Sequence, residues 1–263
     1  MSLYCLPITI PYPAQFILPK TATLIAYLAE PCGNLHRLDL TTMSLELLGA
    51  PAVKASCVGL AADADAIYTA WEHQAGGTIM GLGTDGTITW QYDIAGIPTN
   101  IILAENRLIV PFTNTAFTSE GVALFDLSKK CPSPAVVTIQ CPSCPSGLAA
   151  YPCHAALAAD NKTAYIVNED GASVFVIDLE TAQVIDRLTI GRSLSRLYLL
   201  PDNHSAIGTS NLFADLSLLD LTDGSLLAVT NTKRQLLSTI AILPYVHCQE
   251  YNQVRYYQSF PQP

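Results

Sequence analysis

Short apolar runs, each closing on a turn, recur along the chain. They are Phe16 to Lys20, Val58 to Asp63, Ile101 to Glu105, Ala155 to Asp160, Tyr198 to Asp202 and Ala241 to Tyr245. Aligned on Pro19, Ala62, Ala104, Ala159, Pro201 and Pro244, they lie 43, 42, 55, 42 and 43 residues apart. A fixed period of about 40–50 residues marks a propeller or a solenoid. Between the runs lie β-branched and aromatic segments bounded by Gly, Asn, Asp or Pro, which predict short strands joined by turns. In the fourth copy these are Ala164 to Asn168, Ser173 to Leu179 and Val184 to Ile190. Tyr165-Ile166-Val167, Val174 and Val176 leave no polar face, the pattern of a sheet sandwiched between two others.

A hydrophobic residue followed by Asp recurs at Leu38-Asp39, Phe125-Asp126, Ile177-Asp178 and Leu219-Asp220. An aspartate at a strand end most simply caps the following turn by accepting backbone N–H groups. The second copy departs from the pattern, with Leu82-Gly83-Thr84-Asp85-Gly86 in that place. Residues 159 to 202, with Tyr165-Ile166-Val167-Asn168, Val174-Phe175-Val176-Ile177-Asp178, Gly191 and Leu200-Pro201-Asp202, resemble one repeat of the YVTN family of β-propeller proteins. The match is fair over 201 to 243, through Gly208-Thr209-Ser210-Asn211, and is a pattern only elsewhere. The resemblance implies blades of four antiparallel strands, lettered A to D outward from the axis. It implies no single activity, because such propellers include binding surfaces, adhesins, lactonases and lyases.

The expected fold is therefore an all-β, six-bladed propeller forming a single domain. The blades fall at roughly 15–52, 53–96, 97–145, 150–191, 192–233, and 234–260 joined to 3–10. In the last blade, Leu3 to Ile10 supplies the outer strand and Ser238 to Leu243, Val246 to Tyr251 and Val254 to Phe260 the other three. That arrangement leaves no open edge.

Charge narrows the function. The 263 residues carry 13 Lys+Arg against 22 Asp+Glu, a net charge of -9, which excludes a nucleic-acid partner that needs a basic face. Only 13% are charged and half are apolar, so a large core must be buried. The longest apolar stretches, such as Leu194 to Leu200, contain Ser195 and Arg196 and are too short to span a bilayer. Pro7, Pro11 and Pro13 interrupt the N-terminal segment, which carries no early Lys or Arg. An export signal is not expected, and the expected location is the cytoplasm, with reduced thiols.

The D–A and B–C loops share one face of a propeller, around the central channel. By this register that face carries Glu72, His73, His154, Asn168, Glu169 and Arg192, a mixture able to orient a polar ligand and equally typical of a solvated loop surface. No established catalytic signature is met. Gly81-x-Gly83-x-x-Gly86 has the spacing of a nucleotide-binding loop but runs into Thr87-Ile88-Thr89-Trp90, so it reads as a hairpin. Trp71 beside Glu72 and His73 reads as packing between blades.

Cys131-x9-Cys141-x2-Cys144-x8-Cys153-His154 is the strongest chemical signal, because thiols two residues apart can seize zinc from one turn. Cys131 sits at the far end of a strand over Ala135 to Gln140, leaving Cys141, Cys144, Cys153 and His154 as candidate ligands. A zinc ion, a disulfide or redox pair, and free thiols in a long loop stiffened by Pro142, Pro145 and Pro152 all fit the spacing. The leading expectation is a non-enzymatic scaffold, without a cofactor unless zinc is bound, that holds a protein or small-molecule partner on the loop face. The alternative is a hydrolase, lactonase or lyase using a divalent cation at the channel.

Overall fold

The computed structural model describes residues 16–20, 25–30, 33–39, 41–49, 55–114, 120–139, 152–210 and 212–231. They form five antiparallel sheets, four of them meanders in which successive strands are neighbours and the third a meander with one extra strand. The first contains β1 (Phe16–Lys20), β2 (Ile25–Ala29), β3 (Leu35–Asp39) and β4 (Ser44–Gly49). The second contains β5 (Ser56–Ala62), β6 (Ala66–His73), β7 (Gly76–Gly83) and β8 (Ile88–Ile94). In the third, β9 (Gly96–Pro98) and β10 (Ile102–Ala104) both pair with β11 (Arg107–Asn114), followed by β12 (Glu120–Asp126) and β13 (Ala135–Ile139). The fourth contains β14 (Pro152–Leu157), β15 (Thr163–Asn168), β16 (Ser173–Asp178) and β17 (Gln183–Thr189). The fifth contains β18 (Arg196–Leu199), β19 (Ser205–Ser210), β20 (Asp215–Asp220) and β21 (Leu226–Asn231).

Period-two alternation explains why the sheets stack. On β16, Phe175 and Ile177 join Ile109, Val122, Leu124 and Ile139 in a core shared with the third sheet. Val174 and Val176 point the other way, into a core with Leu197, Ala206 and Leu219 of the fifth. Equivalent layers join the first sheet to the second around Tyr27, Ile67 and Trp71, and the second to the third around Ile79, Leu108 and Phe125. Each fully buried Ile or Phe of these layers contributes about 1.5–3 kcal/mol. The outer strands β4, β8, β17 and β21 are mostly exposed.

Trp71 packs between blades, its indole N–H donating to Thr69 Oγ1 at 2.7 Å. Trp90 stacks on Phe125 at 5.7 Å across the next interface. Gly81 makes room for it, since a Cβ there would collide with the Trp90 indole. The Gly81 to Gly86 segment is indeed a hairpin: Gly86 has φ +85° and donates to Gly83 O at 2.9 Å.

The strand-end aspartates are turn caps. Asp39 Oδ1 accepts from Thr41 N at 2.8 Å and Thr42 N at 3.1 Å, and Asp178 Oδ1 from Glu180 N at 2.8 Å and Thr181 N at 2.7 Å. Asp202 does the same at the β18–β19 turn, for His204 N and Ser205 N. These backbone N–H groups hold the carboxyls of Asp39, Asp178 and Asp202 below their ordinary range. A folded-state pKa below the unfolded one stabilises the protein above about pH 4, and that contribution is lost as pH falls through the folded value. Thermal melts should therefore show Asp178→Ala lowering Tm by about 2–4 °C at pH 7, with Asp178→Asn, which keeps the acceptor, losing less. Equal loss in both variants would remove the cap from the account.

Candidate ligand-binding site

The first strands of successive sheets lie side by side: β1 against β5, β5 against β10, β10 against β14 and β14 against β18. Their loop-side ends line an open cavity of about 350 Å³. Ser56, Cys57 and Val58 enter it from β5, and Glu72 from the end of β6. Cys153 and His154 come from β14, and Arg196 from the first position of β18. Thr99 and Asn100 come from the break between β9 and β10. Four sheets thus contribute to one largely polar lining.

The break is what brings Asn100 to the cavity. β9 pairs with residues 112–114 of β11 and β10 with residues 107–109, so the third sheet's inner strand is split between them. Thr99 keeps a backbone bond to Pro111 O at 3.0 Å, and its hydroxyl also lies within hydrogen-bond reach of Pro152 O of the fourth sheet. Asn100 Oδ1 is buried yet accepts no hydrogen bond, and the Tyr198 hydroxyl is likewise buried without a partner. An unmet buried polar group costs about 1–3 kcal/mol.

His154 is neutral. Its Nδ1 accepts from Leu197 N at 3.4 Å, which leaves Nε2–H as the ring's donor, and the ring lies 5.8 Å from that of Tyr198. Burial, reinforced by the Arg196 guanidinium, pushes its pKa down to about 3. The thiols stay protonated as well. Burial raises Cys57 to about 12. Cys153 is raised by burial and by the Glu169 carboxylate, and its Sγ lies against Ser195 O at 3.3 Å and Leu194 O at 3.6 Å. Protonated, enclosed thiols are poor nucleophiles, so the lining suits binding rather than covalent chemistry.

Of the residues expected on the loop face, Glu72 and His154 meet in this cavity, joined by Cys153 of the candidate zinc set. Glu169 accepts from Ser195 Oγ at 2.6 Å, next to Arg196 in sequence. The other three hold loops. His73 Nε2 reaches Thr78 Oγ1 at 3.0 Å, and Thr78 donates to Asp93 at 2.7 Å. Asn168 is buried and accepts from Gly171 N at 3.3 Å. Arg192 pairs with buried Asp215 and lies 4.3 Å over the Phe213 ring. Cys141 and Cys144 lie outside the described residues, and among the described residues no group of three His, Cys, Asp or Glu is placed to hold a metal ion. Cys57, Cys131 and Cys153 are free thiols. Arg196, Thr99 and Asn100 were not expected from the sequence. Their signals were a lone charge opening an apolar run and a polar pair following Pro98.

Radially stacked four-stranded meanders with their first strands inward define a β-propeller, and the chain is similar to solved propellers. It matches the Cps50 (Swd1) β-propeller domain of Myceliophteria thermophila with a TM-score of 0.63 at 12% identity, over 81% of this chain and 66% of that one. It matches BamB from Moraxella catarrhalis with a TM-score of 0.58 at 16% identity, over 84% of this chain and 65% of that one. The chain thus spans just under two thirds of each, and the likeness is one of fold. No family model and no curated protein matches the sequence. Among the described residues, no helix is long and apolar enough to cross a membrane.

Because its folded pKa lies near 3 against an ordinary 6.5, His154 favours the folded state fully above pH 6.5, and that contribution is lost as pH falls from 6.5 towards 3. Its ring resonances should not titrate between pH 5 and 8 in NMR. A midpoint near 6.5 would place the ring in open solvent.

Proposed function

We propose that the protein is a non-enzymatic propeller scaffold that binds a small molecule, or a short polar segment of a protein partner, at the loop-side mouth of its channel. The observation that carries this reading is the cavity: four sheets send Ser56, Glu72, Asn100, His154 and Arg196 to one place. A catalytic reading would need an activated nucleophile or several inward carboxylates around a cation. The thiols here are held protonated, and Glu72 is the one carboxylate among the described residues that line the cavity. Cys153 and His154 serve the cavity in this reading rather than zinc, since the thiol faces backbone carbonyls and the ring is fixed through Nδ1.

The ring is proposed to have six blades of the YVTN type, the last built from 234–260 and closed by 3–10. Support comes from Ala26, Leu28 and Leu38, which form a buried cluster on the side of the first sheet away from the second. A free end of an array would leave such positions exposed.

A thermal-shift screen of amino acids, hydroxy acids, nucleotides and sugars tests the binding function. Compounds that stabilise the parent should fail with Glu72→Ala/Arg196→Ala and still act on Lys162→Ala/Glu180→Ala, a pair that bridges at 2.8 Å on the opposite, C–D side. Unchanged hits in the first variant would move the site elsewhere. The same preparations should contain no stoichiometric zinc, whereas about one zinc per chain, lost in Cys141→Ser, would return Cys153 and His154 to a metal site.

A further inference from the structure

Resting on the reading of the cavity as a ligand site, we propose that it recognises a primary ammonium group, held by the Glu72 carboxylate and the Asn100 side-chain oxygen. Among the described residues, no hydrogen bond or ion pair engages the Glu72 carboxylate, and Asn100 Oδ1 is buried without a donor. Both groups border one stretch of β5. Glu72 is in register with Ser56, and a Cβ on Gly59 would meet the backbone N of Ile101, which follows Asn100, at 2.9 Å. Two acceptors in want of donors, one of them charged, call for a cation that carries N–H groups.

The other charges agree with that sign. Arg196 already has a partner within the protein. It enters from β18, and since the inner strands lie in the order β5, β10, β14, β18, two of them separate it from the β5 side. Glu169 stands beside it, accepting from Ser195 Oγ at 2.6 Å. The Cys153 thiol is raised first by burial and then by that carboxylate, whose effect there exceeds that of the Arg196 guanidinium. Two carboxylates, Glu72 in the lining and Glu169 beside it, thus stand against one guanidinium, and His154, being neutral, adds no cation. Among the described residues that line the cavity, the His154 imidazole is the one ring. A quaternary ammonium, which depends on aromatic faces and offers no N–H, therefore lacks its partners. A neutral alcohol would leave the carboxylate without a counter-charge. A volume of about 350 Å³ admits a short alkyl ammonium, free or at the end of a lysine side chain.

NMR titration of the full chain with n-butylamine and Nα-acetyl-lysine amide, set against 1-butanol, Nα-acetyl-norleucine amide and butyltrimethylammonium, tests this. At least one of the two primary ammonium compounds should bind, about tenfold or more tighter than its uncharged or quaternary counterpart. A preference for the lysine derivative assigns the ammonium to a partner's side chain, and equal or tighter binding of butylamine assigns it to a free amine. Glu72→Gln, which breaks no contact, should melt with the parent and weaken the ammonium by about tenfold or more. Asn100→Asp, which adds a carboxylate, should tighten it, and reads the same charge if Glu72→Gln does not melt cooperatively. Failure of both ammonium compounds to bind at millimolar concentration, equal binding of their counterparts, or binding unmoved by these substitutions overturns the proposal. If other screened compounds then still bind and are lost in Glu72→Ala/Arg196→Ala, the site reading stands without the ammonium. If the compounds that bind are indifferent to those substitutions, both readings fall.

Discussion

The contact between one sheet and the next determines the architecture. Middle strands such as β7, β12 and β16 are buried on both faces, so a single sheet cannot satisfy them and must be covered twice. Successive sheets meet that need by stacking around an axis, and the stacking brings the first strand of each sheet beside that of its neighbour. The polar cavity is a consequence. At the loop-side ends of these inner strands, side chains from sheets far apart in sequence converge.

Turn chemistry keeps this arrangement in register. Aspartates at A–B and C–D turns accept local N–H groups on the side opposite the cavity. On the cavity side the loops differ from one sheet to the next. His73 engages Thr78, Asn168 binds Gly171 N, and Arg192 pairs with Asp215. The repeat thus separates a face of aspartate-capped turns from one whose loops differ, while Cys57, Val58 and Cys153 belong both to the pocket and to the interblade layers.

The fold was legible in the sequence because strand burial and period act locally. The apolar run at Ser173 to Leu179 corresponds to β16 and that at Val184 to Ile190 to β17, within a residue or so at each end. The site was legible only in part. Glu72 and His154 could be placed by counting loops, since each sits at a strand end set by the repeat. Asn100 could not, because it reaches the cavity through the split between β9 and β10, and nothing in a repeat count foretells a broken inner strand. Arg196 showed in the sequence only as a charge that shortened the Leu194 to Leu200 run, and its meaning depends on the neighbouring strand β14. Asn168 and Arg192, polar and loop-borne like the others, hold their own turns, a distinction that needs three-dimensional partners to draw.

The central proposal is that the sheets close into a ring through the N-terminal segment. Deleting residues 1–10 tests it most directly. Closure by that segment predicts that the truncated protein aggregates or melts at least about 10 °C below the parent, as an opened sheet edge loses its partner. A truncated protein that stays monomeric and melts with the parent would contradict the ring as assigned.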